Sequence, residues 1–192
     1  MEASTVIFPS MFLVLGFTLA ATLGTIAPVL AQDTGDPVIV TVTGAVENTN
    51  RDAFDAKTDV FFNHHELNFD KAHAFTRSQL AALGMHEITL AYAEEWSGER
   101  TFRGPRLADL LSAAGATGNL VTVQALDGYG LALDRKMIED GQFILALESN
   151  GEPLAIGSFG PAWLVYPPKD WTHPTVAANS GLVWSIFHIA VE

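Results

Sequence analysis

Phe102-Arg103-Gly104-Pro105-Arg106-Leu107-Ala108-Asp109-Leu110-Leu111 is the stretch that decides the fold. Pro105 follows a glycine and stands at the opening of an apolar repeat, where its fixed φ suits a first helical turn. Leu107, Leu110, Leu111 and Ala114 then recur at i, i+3, i+4 and i+7, the stripe of a short amphipathic helix. Gly115 follows as the stop.

Upstream of it, Thr76-Arg77-Ser78-Gln79 has capping-box spacing and predicts a second short helix through Leu80 and Leu83, closed by Gly84. Glu87 to Tyr92 and Leu67 to Phe75 read as strands, Glu47 to Asp59 as a loop, and Val60 to Phe62 is too short for periodicity to classify. Val38 to Val46 is a strand with Val38, Val40 and Val42 on one face. Downstream, Val121, Val123 and Ala125 alternate in a strand ending at Asp127, and Asp134 caps a helix of one or two turns that closes at Gly141. Phe143 to Leu147 is a strand, Asn150-Gly151 a hairpin signal, and Pro161 to Tyr166 a strand broken by Pro167 and Pro168. Lys169 to Gly181 is loop-like, and Leu182 to Val191 is the final strand. There is no internal repeat. Many strands with a few short helices predict an α+β domain built on mixed β-sheets.

The chain has 192 residues, enough for one domain with a sizeable core, and its apolar content is too high for disorder. Twenty-two acidic against ten basic residues give a formal charge of −12, which repels nucleic-acid backbones and disfavours docking on anionic lipid. Met11 to Leu30 is apolar and uncharged, and Val29-Leu30-Ala31 places small residues at −3 and −1 before Gln32. We expect residues 1–31 to be an export signal, 32–37 a polar linker and 38–192 the single domain, with a periplasmic or secreted location. The segment before Met11 carries Glu2 and no Lys or Arg, unusual for a signal's first region; a start at Met11 would account for it. The alternative is an uncleaved membrane anchor, against which Pro28, two glycines and several threonines weigh.

No cysteine occurs anywhere. Disulfides, c-type haem and all-cysteine iron–sulfur clusters are therefore outside this chain's chemistry. Six histidines invite a metal reading, but His64 and His65 are adjacent and would face opposite ways in a strand, and the other four are scattered. No Gly-x-Ser-x-Gly supports a serine nucleophile, and Gly157-Ser158-Phe159-Gly160 lacks the Lys-Ser/Thr of a phosphate loop.

Taken in order, Trp96, Phe102 to Leu111, Asp127-Gly128-Tyr129, Asn150-Gly151 and Gly160-Pro161-Ala162-Trp163-Leu164-Val165-Tyr166-Pro167 resemble the pterin-binding domain of the sulfite-oxidase-type molybdenum enzymes, over about residues 75–191. The likeness is strongest to a compact exported branch of that family. It implies the sulfite-oxidase fold and a cleft shaped for a pterin or molybdopterin-like ligand. In the family, a cysteine before the leucine helix ligates molybdenum; the matching position here falls near Tyr92. A phenol is a hard, high-pKa oxygen and a poor substitute for a soft thiolate, so no metal is expected, although a cofactor's own dithiolene sulfurs could hold one.

The resemblance further implies ligand contacts at matched positions. A carboxylate can accept both hydrogen bonds from a pterin's amino and ring N–H edge, and aromatic faces can sandwich the ring. Asp127 is the candidate acceptor, Tyr129 and Trp96 the candidate walls, and Arg100 or Arg103 the partner for a carbonyl or phosphate tail, with Tyr92 beside them. Asp127-Gly128 is equally a turn dipeptide that needs no ligand. Trp163 and Tyr166 read as core, and Trp184 and Phe187 as core or edge packing. Compact relatives that lack the cysteine imply a pterin-sensing role, reporting to a membrane-bound signalling partner such as an enzyme of cyclic di-GMP metabolism. The other readings are a molybdopterin oxidoreductase whose metal relies on cofactor sulfurs alone, and an interaction domain with no ligand.

Overall fold

The computed structural model describes residues 35–91, 98–167 and 182–192. Tyr92, Trp96, the leader with its cleavage point, and the Lys169 to Gly181 segment lie outside the described residues. In chain order, the elements begin with β1 (Val38–Gly44), α1 (Val60–His64), β2 (Ala72–Thr76), α2 (Arg77–Ala82), β3 (His86–Ala91) and β4 (Glu99–Gly104). They continue with α3 (Leu107–Ala113), β5 (Leu120–Ala125), β6 (Gly130–Asp134), α4 (Arg135–Asp140) and β7 (Ile144–Ala146). The last are β8 (Glu148–Ser149), β9 (Glu152–Pro153), β10 (Trp163–Val165) and β11 (Ile186–Val191).

The strands form a five-stranded sheet in the order β2-β1-β11-β5-β6, a four-stranded sheet β3-β4-β8-β9, and the pair β10-β7. Only β1 and β11 run parallel among the described pairs, so the strand that opens the domain and the strand that closes it lie side by side at the centre of the large sheet. Together with the short helices, this is the α+β architecture of mixed sheets expected from the sequence.

The deciding stretch folds as its pattern requires. Leu107, Leu110 and Leu111 of α3 are buried, each contributing roughly 1.5–3 kcal/mol relative to exposure. The helix closes at Gly115, whose φ of +63° is the left-handed geometry that ends helices. Gly104, just before it, is fixed by space: a Cβ there would lie 1.9 Å from the Leu145 carbonyl oxygen. The α2 cap also forms as read, with the Gln79 N–H donating to Thr76 Oγ1 and the Thr76 N–H donating to the Gln79 side chain at 2.9 Å.

Several expectations change. Val38 does not share the inner face of Val40 and Val42: a bulge between Val38 and Val40 shifts the register, and Val38 is exposed. The residues between Leu67 and Lys71 are not strand; pairing with β1 starts only at Ala72. His64 and His65 stand at the end of α1, not in a strand. β5 stops at Ala125, two residues short of Asp127. β4 carries no strand pattern, since its only large apolar residue is Phe102, and the strand forms because Phe102 is buried while its backbone pairs with β3 and β8. β6 is a further strand beyond those expected, with Leu131 and Leu133 alternating inward.

Candidate functional site

The β5–β6 connection carries Asp127 and Tyr129. Gly128 takes φ of +89°, the Gly128 N–H donates to the Ala125 carbonyl at 3.0 Å, and the Tyr129 N–H donates to Asp127 Oδ1 at 2.9 Å. The carboxylate thus fastens its own turn, as short acidic side chains do. Asp127 is exposed and its Oδ2 has no hydrogen-bond partner among the described residues, so one oxygen builds the turn and the other faces outward. Tyr129 is half-exposed beside it.

Beneath this turn lies a polar knot that the sequence did not reveal. His188 of β11 is 2% exposed, with Nε2 2.7 Å from Thr43 Oγ1 and Nδ1 3.0 Å from Gln124 Oε1. A neutral ring satisfies both contacts, with Nδ1–H donating to the amide oxygen and Nε2 accepting from the hydroxyl. Burial, and secondarily the neighbouring His65, push His188 down to about 4. The Phe62 ring of α1 meets His188 edge-on at 5.5 Å, and His65 packs under Gly128, where a Cβ would meet its ring at 3.5 Å. His65 Nε2 is buried without a hydrogen-bond partner among the described residues.

The two arginines of β4 separate by strand geometry. Arg103 points away from the core, and its Nη1 donates to Glu148 at 3.0 Å with Glu87 4.0 Å from Nε. Two carboxylates already flank that guanidinium, so it is badly placed to bind a further anion. Arg100 shares the face of Phe102 and lines a hollow of about 330 Å³, together with Ser149, Asn150, Ser158 and Phe159. Asp127 and Tyr129 do not line this hollow. Its aromatic wall continues inward: Phe159 stacks on Trp163 at 4.3 Å, and Trp163 meets Phe102 edge-on at 5.2 Å. Trp163 and Tyr166 are core residues, as expected. Trp184 contacts Phe159 edge-on at 5.9 Å but is 43% exposed, so it closes the outer end of this ladder instead of joining the core. The sequence carried no sign of that, because exposure depends on what other segments cover.

A wider trough runs along Val38, Arg51, Asp52, Asp55 and Asp59. Its one arginine is ion-paired with Asp59. Burial pushes the Asp59 carboxyl up, but the Asp55 N–H and Arg51 outweigh it and hold the group below its ordinary value. An acidic trough whose cation is engaged does not suit an anionic or carbonyl-rich ligand. Among the described residues, no three His, Asp or Glu side chains gather closely enough to hold a metal ion.

The Arg100 hollow fits a flat heterocycle in size, since small-molecule sites start near 300 Å³. Its polar lining is the Arg100 guanidinium, the Ser149 and Ser158 hydroxyls and the Glu152 carboxylate, a mixed set that suits the carbonyl and N–H edges of a neutral heterocycle better than an anion, and Phe159 supplies a ring face. The donor set does not fit a metal anchored by a protein thiolate, because the chain has no cysteine.

No curated protein sequence matches the chain. Among solved structures, the sulfane dehydrogenase SoxCD from Paracoccus pantotrophus aligns with a TM-score of 0.53 at 19% identity, a likeness of fold. That alignment covers 79% of this chain and 37% of the SoxCD chain, so the present chain spans well under half the length of that protein. The family model described as the oxidoreductase molybdopterin binding domain matches residues 39–169. The match extends over more than half of the sequence, and the chain belongs to the oxidoreductase molybdopterin-binding domain family.

Proposed function

We propose that this chain is an exported pterin-binding protein of the molybdopterin-binding fold, that it works without bound molybdenum, and that it relays the presence of a pteridine to a membrane-bound signalling partner. The observation that carries the reading is a molybdopterin-binding domain with no cysteine in it. Without a thiolate the chain has no protein sulfur to tether a reactive metal, so heterocycle recognition is the part of the family's chemistry that its side chains can still supply.

Two places support recognition. Arg100, with Ser149 and Ser158, offers donors to a ring carbonyl, and Glu152 an acceptor to a ring N–H, against the Phe159 ring. Asp127 offers its outward oxygen to an N–H of the pterin edge, its other oxygen being held by the Tyr129 N–H, with Tyr129 and Trp96 as candidate walls and Tyr92 as a further candidate contact. Export is supported by the apolar Met11 to Leu30 stretch and the small residues before Gln32.

The test is to purify the protein from its native host, release any ligand with acid, and record pteridine fluorescence alongside metal analysis. A pteridine without stoichiometric molybdenum is the expected result. Molybdenum at one per chain would replace this reading with an oxidoreductase whose metal is held by cofactor sulfurs. No released pteridine, and no binding in titration, would leave an interaction domain without a ligand.

A further inference from the structure

Arg77 is the first residue of α2, and its guanidinium reaches three backbone carbonyls that are far apart in sequence. Nη1 donates to Leu147 at 3.0 Å, and Nη2 donates to Leu154 at 2.9 Å and to Pro161 at 3.3 Å. Leu147 lies where β7 passes into β8, Leu154 where the chain leaves β9, and Pro161 where it approaches β10. The residues that wall the Arg100 hollow, from Ser149 to Phe159, all lie between these anchor points.

The base of Arg77 is itself fixed. The capping box holds Thr76 and Gln79, and the Ser78 N–H donates to the Asp36 carboxylate at 3.1 Å while the Ser78 hydroxyl also donates to it. A guanidinium is a rigid planar fork that can serve several diverging acceptors at once, whereas an ammonium on a flexible stem is a single point. Gly160 is required beside Pro161 for the same close approach, since a Cβ there would come within 2.5 Å of the Leu154 backbone.

We propose that Arg77 is a positioning residue for the Arg100 hollow. It ties the β8–β9 hairpin and the 154–161 loop to the start of α2, and so fixes how far the wall carrying Ser149 stands from the wall carrying Phe159. The ligand-binding consequence rests on the pterin reading of this hollow; the positioning itself does not.

The experiment has two arms on the full chain, using Arg77→Met and Arg77→Lys. In the first, without ligand, amide hydrogen exchange is compared with the parent protein. The amides of Asn150, Leu154, Ser158 and Gly160 should exchange about tenfold faster or more, with those of Val121, Val123 and Ile189 in the large sheet unchanged. A uniform rise across both sheets, or no change at the hollow, would overturn the proposal. In the second arm, pterin-6-carboxylate is titrated by its fluorescence. Arg77→Met should weaken binding by about tenfold or more, and Arg77→Lys should recover only part of the loss, because it restores charge without the fork. Parental affinity in Arg77→Met would also overturn the proposal. If the parent protein itself does not bind this probe, the pterin reading fails alone, and the exchange arm still decides the role of Arg77. Should Arg77→Met not fold, Arg77→Lys carries both arms.

Discussion

The turn at Asp127 and the hollow at Arg100 are built in opposite ways. The turn closes almost within five residues: Asp127 accepts from the Tyr129 N–H, Gly128 supplies the positive φ, and Ala125 donates to the Tyr129 carbonyl and accepts from Gly128, while the Leu126 N–H reaches outside, to the Ser185 carbonyl. The hollow has no local solution. Its walls come from β4, the β8–β9 hairpin and the 154–160 segment, and they meet because Gly104 lets β4 approach β7 and Arg77 joins three carbonyls. A local site tolerates change in the rest of the molecule. A non-local one fails when any distant contact is lost.

Gly104→Ala strikes the non-local side hardest. A methyl group 1.9 Å from the Leu145 carbonyl oxygen forces β4 and β7 apart, and we expect a loss of about 4 kcal/mol or more in urea unfolding. A loss under about 1 kcal/mol would show that the hollow does not depend on that contact.

The knot under the turn gives a pH test. His188 has a folded value of about 4, below the ordinary 6.5, so the unfolded chain takes up a proton that the folded chain refuses. Stability is therefore complete above about pH 6.5 and declines as pH falls toward 4, by roughly 3 kcal/mol over that window. His188→Gln should flatten this decline in a series of unfolding curves; an unaltered slope would place the pH dependence elsewhere.

Asp127 separates the turn's two duties. Asp127→Asn keeps the bond to the Tyr129 N–H and should leave stability nearly unchanged, while pteridine affinity falls by about 1.5–3 kcal/mol, the range for a charge-assisted bond. Unchanged affinity in calorimetry would reduce Asp127 to a turn residue. Smallest is Thr76→Ala, which removes one half of the capping box and should cost about 1 kcal/mol in thermal unfolding, with the hollow intact because Arg77 remains.

The local features were legible because they rest on short-range rules. The α2 cap, the α3 stripe, the Asn150-Gly151 hairpin and the Asp127-Gly128 turn each involve residues within a few positions of one another, and each forms as read. What escaped was non-local. β4 looks polar because its stability comes from neighbours on both sides, and His188 and Arg77 looked like ordinary polar residues because their partners lie 64 to 145 and 70 to 84 positions away. The distinction between Arg100 and Arg103 was equally hidden, since it turns on which face of β4 meets Glu148.

By itself the sequence determined the α+β class, the α2 cap and the α3 stripe with its Gly115 stop, though not α1 or the Asp134 side-chain cap expected for α4, which does not form; it also determined the family through the order of its motifs and the absence of any thiolate for a metal. Those depend on residue identity and on contacts a turn or two away. Only the tertiary structure decided that Arg100 faces a hollow while Arg103 faces carboxylates, that a buried neutral histidine supports the turn, and that one arginine gathers three carbonyls. Each of these is a matter of which distant segments share a surface, and burial and hydrogen bonding between such segments are fixed only when the whole chain packs.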